Sequence, residues 1–139
     1  MHVLIVETRA ELASQWAERL RRDGITVHIT HSQECAVRVL CAHRIQVVML
    51  DLMLDEGSAL AVADFAAFRQ PWAKVMFLTD SAVFSDGSIF THCQNACGYF
   101  CHLDSGQRSC DHRGALRSRG LSRAAFVTPA PILAKYSFR

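Results

Sequence analysis

The 139-residue chain is 50% apolar and 20% charged, with a net charge of +2. That much apolar material excludes a disordered chain, and no apolar run approaches the length of a membrane span, so a soluble, cytoplasmic protein of one domain plus a tail is expected. The charge is uneven: residues 104–139 carry seven Lys/Arg and two Asp (+5), and residues 1–103 carry eight Lys/Arg and eleven Asp/Glu (−3).

Met1-His2-Val3-Leu4 has no basic leader and reads as the start of a strand over 2–7, not as a signal peptide. In 9–22, Leu12, Trp16 and Leu20 recur at helical spacing, and Asp23-Gly24 ends that helix. Ile25, Val27 and Ile29 alternate, which predicts a strand over 25–30 at a sheet edge. A helix follows over 32–43, with Ser32 as its cap and Ala36, Val39, Leu40 and His43 on one face. The apolar run 45–51 is a buried strand. Residues 52–57 form a loop, and a helix runs from Ser58 to about Gln70, stopped by Pro71. Residues 74–79 predict another strand, 86–96 a looser helix, and Gly98-Tyr99-Phe100-Cys101 the last short strand. Alternating strands and helices define an α/β chain with a parallel sheet. The pattern fails after residue 103, where 104–123 hold three Gly and five Arg, and Pro129 and Pro131 interrupt the end. Six cysteines within such a chain read as reduced thiols.

Three strand ends carry chemistry. Glu7 closes Val3-Leu4-Ile5-Val6, Asp51 closes the run 45–50, and Thr79 closes Val75-Met76-Phe77-Leu78. Ligands of open α/β sheets gather at the carboxyl ends of the strands, so two carboxylates and a hydroxyl are expected to converge there. Each residue also has a plainer reading: Asp51 as a cap, Thr79 as a β-former, Tyr99 as core packing.

Leu4-Ile5-Val6-Glu7, Val48-Met49-Leu50-Asp51-Leu52-Met53-Leu54, Asp55-Glu56-Gly57-Ser58, Phe77-Leu78-Thr79 and Gly98-Tyr99-Phe100 together resemble the receiver domain of bacterial two-component response regulators. The resemblance covers residues 2–103 and leaves 104–139 as an atypical basic segment. It implies a flavodoxin-like, doubly wound sheet of five parallel strands in the order 2-1-3-4-5. It also implies a single-domain signalling module, not an enzyme, whose Asp51 accepts a phosphoryl group from a sensor histidine kinase or phosphotransfer protein. Mg²⁺ would be held by Glu7, Asp51 and the Met53 carbonyl. Thr79 would contact the phosphoryl group and Tyr99 would change rotamer on activation. The output would be protein contact with a downstream target, with a homodimer left open.

The sequence departs from the family pattern at three places. Thr8 stands where a second acid is usual, which weakens the expected Mg²⁺ site. Asp80 replaces a small residue. His102-Leu103 stands where Lys-Pro is usual, so His102 is a Lys substitute only when protonated. These departures keep a second reading open, a phosphorylation-independent interaction or dimerisation module. A third, a metal- or redox-responsive protein, rests on Cys93, Cys97, Cys101 and Cys110 with His92, His102 and His112. Those ligand types suit zinc, but the close Cys-x2-Cys pair of common structural sites is missing. The basic tail shows no recognition helix, which argues against nucleic acid. With no fifth helix evident, Ala124–Val127 and Ile132-Leu133 are expected to cover a sheet face or a second protomer.

Overall fold

A strand buried on both faces has no polar side to alternate with, so its sequence is a continuous apolar run. β1 (His2–Val6) and β3 (Val47–Asp51) are such strands. In the computed structural model, which describes residues 1–79, 93, 95–101 and 109–111, they lie side by side in the interior of the sheet. β2 (Thr26–Thr30) flanks β1 at one edge, and its burial is correspondingly incomplete. β4 (Lys74–Thr79), β5 (Ala96–Cys101) and β6 (Ser109–Asp111) complete the order β2-β1-β3-β4-β5-β6. The first five strands are parallel and follow the expected order 2-1-3-4-5.

Among the described residues, three helices pack on the sheet. α1 (Ala10–Arg22) sets Trp16, Ala17 and Leu20 against Val3, Ile5, Val47, Met49 and Met76 on one face. α2 (Gln33–Ala42) and α3 (Ala59–Arg69) cover the other face, where Leu40, Val62 and Ala66 meet Leu4, Val48, Leu50, Val75 and Phe77. Alternate residues of one strand thus feed two separate cores. Each fully buried Leu, Ile, Val or Phe stabilises the fold by about 1.5–3 kcal/mol relative to exposure. The helix starts are where capping residues placed them. Ser32 Oγ accepts from the Cys35 amide and Ser58 Oγ from the Ala61 amide, both at 3.4 Å. Gly24 ends the turn after α1 with φ +76, a left-handed conformation that costs glycine little.

Three differences from the sequence expectation exceed a single residue at an element's end. The strand expected over 45–51 joins the ladder only from Val47, because the Ile45 amide is taken by Gln70 Oε1 at 2.7 Å. β5 begins at Ala96, inside the segment expected to end a helix. Asn95 is a turn residue whose carbonyl accepts from the Val75 amide at 2.9 Å, and this feeds the chain into the sheet early. Nor is β5 the last strand. β6 pairs antiparallel with it, Tyr99 opposite Cys110 and Phe100 opposite Ser109. An antiparallel neighbour needs only a short connection and backbone hydrogen bonds, so Ser-Cys-Asp joins without an apolar pattern to announce it. Most of the expected helix over 86–96, and the tail segments Ala124–Val127 and Ile132-Leu133, lie outside the described residues. Among the described residues, no helix is long and apolar enough to cross a membrane.

Candidate functional site

The ladder between β1 and β3 pairs Val6 with Leu50, so the next residues along, Glu7 and Asp51, emerge side by side at the carboxyl edge. Both are buried: Glu7 completely, Asp51 to 5% exposure. Backbone bonds fix the frame around them. The Glu7 amide donates to the Thr30 carbonyl at 3.1 Å, and the Leu52 amide donates to the Leu78 carbonyl at 3.0 Å. His31 Nδ1 donates to the Glu7 carbonyl at 2.8 Å, since a carbonyl oxygen can only accept.

Burial is the main reason the Asp51 carboxyl is pushed up from the ordinary 3.8 to about 6. The Met53 amide, donating to Asp51 Oδ1 at 2.9 Å, opposes the shift. The neighbouring Glu7 carboxylate adds to it, and the Arg9 charge offsets part of it. Two carboxylates in one dry pocket repel, and the pair is relieved by a proton or by a cation.

A cation is already present. Arg9 Nε donates to Glu7 Oε1 at 3.0 Å and Arg9 Nη2 to Oε2 at 3.4 Å. The Arg9 backbone amide adds a third bond, to Oε1 at 3.0 Å. Sequence reading missed this residue. The available signal was its position: Arg9 is the N-cap of α1, where Ser, Thr, Asp or Asn is favoured.

The loop after β3 is tied down from two sides. Thr8 Oγ1 accepts from the Asp55 amide at 3.4 Å, so the residue in place of a second acid anchors the loop through its hydroxyl. Gln33 donates its amide to the Glu56 carbonyl at 3.3 Å and accepts the Ser58 amide on Oε1 at 2.7 Å. Gly57 sits between them at φ +91, where any Cβ would run into the Gln33 side chain. Met53 stands at the mouth with a 71% exposed side chain.

Among the other expected site residues, Thr79 is at the same edge, one step beyond Leu78, which pairs with Asp51. Thr79 itself pairs with Cys101 across the ladder, and Tyr99 pairs with Phe77 further inside. His102 lies outside the described residues, as do Asp80, His92 and His112. Cys93 and Cys97 of the expected cysteine cluster are not brought together. Cys93 packs with Val75, Phe77 and Ala96 in the core under α2 and α3, whereas Cys97 packs with Met76 and Leu78 in the core under α1. The sheet separates them. Burial, with Asp64 nearby, raises the Cys93 thiol above its ordinary value and keeps it protonated. Cys101 and Cys110 occupy β5 and β6. Cys35 and Cys41 are exposed free thiols. Among the described residues, no group of three or more His, Cys, Asp or Glu side chains is placed to hold a metal ion.

The architecture is the CheY-like receiver fold, a five-strand parallel sheet ordered 2-1-3-4-5 with helices on both faces. No protein-family model matches the sequence, and no curated protein does. Solved structures do match. A response regulator from Burkholderia pseudomallei, solved with a phosphorylated aspartic acid, calcium ion and citrate, is 23% identical with a TM-score of 0.64 over 70% of this chain. The match spans 57% of that longer chain. Response regulator TrrA from Thermotoga maritima, solved with Mg²⁺ and a beryllium fluoride, is 18% identical with a TM-score of 0.63, covering 75% of this chain and 88% of its own. The non-phosphorylated HemR receiver domain from Leptospira biflexa is 22% identical with a TM-score of 0.65, covering 73% and 81%.

Proposed function

We propose that the chain is a response-regulator receiver that accepts a phosphoryl group on Asp51 from the phosphohistidine of a sensor kinase or phosphotransfer protein, and signals through protein contacts. The observation that carries this is the buried Glu7–Asp51 pair at adjacent strand ends, at the carboxyl edge of a receiver fold. A structural role would not require two like charges in a dry pocket, where they oppose each other.

The residues have distinct parts in the transfer. Asp51 is the nucleophile: both Glu7 oxygens are engaged by Arg9, whereas the Met53 amide bond to Oδ1 holds the Asp51 carboxylate in position. An Asp51 oxygen forms the new bond to phosphorus as the bond to the donor imidazole breaks. Thr79, at the adjacent strand end, meets the phosphoryl oxygens, and Tyr99 responds to that contact. His102 supplies a cation when protonated. Oxygen donors suit a hard divalent ion, and two repelling carboxylates gain from one. Glu7, Asp51 and the Met53 carbonyl would hold Mg²⁺, which supplies charge neutralisation for the incoming phosphoryl group.

Beryllofluoride, which mimics an acyl phosphate, tests the reading. With Mg²⁺ present, the amide resonances of Leu52, Met53 and Thr79 are expected to shift in the wild type and to stay in place in Asp51→Asn. No shift in the wild type would favour the phosphorylation-independent module, a reading supported by the Arg9 guanidinium already serving the acid pair.

A further inference from the structure

We propose that Arg9 is a resident counter-ion of the acid pocket that competes with the divalent cation for Glu7, so that metal binding requires the guanidinium to withdraw. The inference rests on the receiver reading and names a control on the same site.

The geometry is a two-pronged ion pair. Nε and Nη2 of Arg9 reach the two different oxygens of Glu7, and the Arg9 amide takes a further lone pair on Oε1. A forked arginine–carboxylate pair adds geometric specificity to charge-assisted bonding; here one prong is close, at 3.0 Å, and the other longer, at 3.4 Å. Glu7 is fully buried, while the arginine side chain is 46% exposed. The acid is therefore fixed and the base has room to leave. Mg²⁺ demands near-octahedral oxygen ligation and cannot share lone pairs already directed at N–H donors.

A second observation shows that Arg9 is not there for the helix. It occupies the N-cap of α1 with extended backbone, φ −80 and ψ 101, and its side chain makes no capping bond. A Ser, Thr, Asp or Asn at this position would satisfy a free amide of the first turn. A positive charge at a helix N-terminus also opposes the helix dipole. Both local effects disfavour Arg. The forked pair with Glu7 offsets them. The Arg9 charge also reaches Asp51, the other carboxylate a metal would use. One side chain thus neutralises in advance the electrostatic need that recruits the ion. Thr8 stands in place of a second acid, and among the described residues the −2 of Glu7 and Asp51 is reduced to −1 by Arg9 before any metal arrives.

The test is a Mg²⁺ titration of the full chain, followed by amide NMR shifts at 51–53 and by the metal-induced rise in Tm. Arg9→Ser installs a favoured cap, and Arg9→Gln keeps a long polar side chain without charge. Both are expected to bind Mg²⁺ roughly tenfold or more tightly than wild type. Arg22→Gln, the same charge change at the exposed end of α1, is expected to bind as wild type. Arg9→Lys keeps the charge without the fork and falls between; it serves if the neutral variants do not fold. Wild-type binding that Arg9→Ser, Arg9→Gln or, in their place, Arg9→Lys fails to tighten would overturn the inference and leave the receiver reading standing. Absence of site-localised Mg²⁺ binding in every protein would overturn both.

Discussion

Replacing Asp51 with Asn is expected to raise the unfolding free energy at neutral pH by about 1–2 kcal/mol while abolishing phosphoryl acceptance. The carboxyl titrates near 6 in the folded chain against an ordinary 3.8, so the native state holds its proton more tightly than the unfolded state. Below the ordinary value both states are protonated and the residue is neutral in the balance. Stability is lost as pH rises between the two values, and above about 6 the loss is constant. The gap is worth at most about 3 kcal/mol, which screening at the pocket mouth reduces. Asn keeps an acceptor for the Met53 amide but carries no charge toward Glu7. Urea unfolding of both proteins in EDTA, from acid to neutral pH, should show curves that coincide in acid and separate toward neutrality. Equal stability at all pH values would contradict the charge conflict at the site. Stabilisation coupled to loss of phosphoryl acceptance would be the trade-off expected where a chain holds unfavourable charge for chemistry.

The largest loss of stability is expected from Gln70→Ala, about 3 kcal/mol. Gln70 follows α3 and is buried, and its Nε2 donates to the Leu40 and His43 carbonyls at 2.6 Å each. Its Oε1 accepts the Ile45 amide at 2.7 Å. One amide side chain therefore satisfies the last carbonyls of α2 and the entry to β3, groups a helix end leaves without partners. Alanine strands all three. Gln70→Glu should be at least as damaging, since a carboxylate cannot donate and would face two carbonyl oxygens. Chemical denaturation with an unchanged m-value would measure both effects. A loss under about 1 kcal/mol for Gln70→Ala would show that water replaces the side chain at little cost.

What the sequence disclosed follows from which interactions leave a pattern. Buried parallel strands read as apolar runs, so Val3–Val6 and 45–50 located Glu7 and Asp51 at strand ends, and their adjacency followed from the fold. Ser32 and Ser58 disclosed helix starts because a cap needs a short polar side chain at one position. Long-range polar contacts leave no period. Gln70 looked like the residue before a helix-stopping proline, yet it joins residues 25 to 30 positions away. Arg9 read as the first residue of a helix, and its bond to Glu7 is a matter of rotamer. β6 was invisible because an edge strand of three residues is held by its backbone. Cys93 and Cys97 were misplaced for a related reason. A helix was expected to continue to residue 96, which would set Cys93 and Cys97 one turn apart, but the chain turns at Asn95 and sends them to opposite faces of the sheet.

The receiver reading stands or falls on the fate of one carboxylate. Incubation of the full chain with a small phosphodonor such as acetyl phosphate and Mg²⁺, followed by intact mass and then peptide analysis, tests it most directly. The account predicts one added phosphoryl group, labile as an acyl phosphate, located on Asp51, absent in Asp51→Asn and reduced in Glu7→Gln. A wild-type chain that stays unlabelled with both a small donor and a phosphorylated histidine kinase domain, or a label that survives Asp51→Asn, would contradict it.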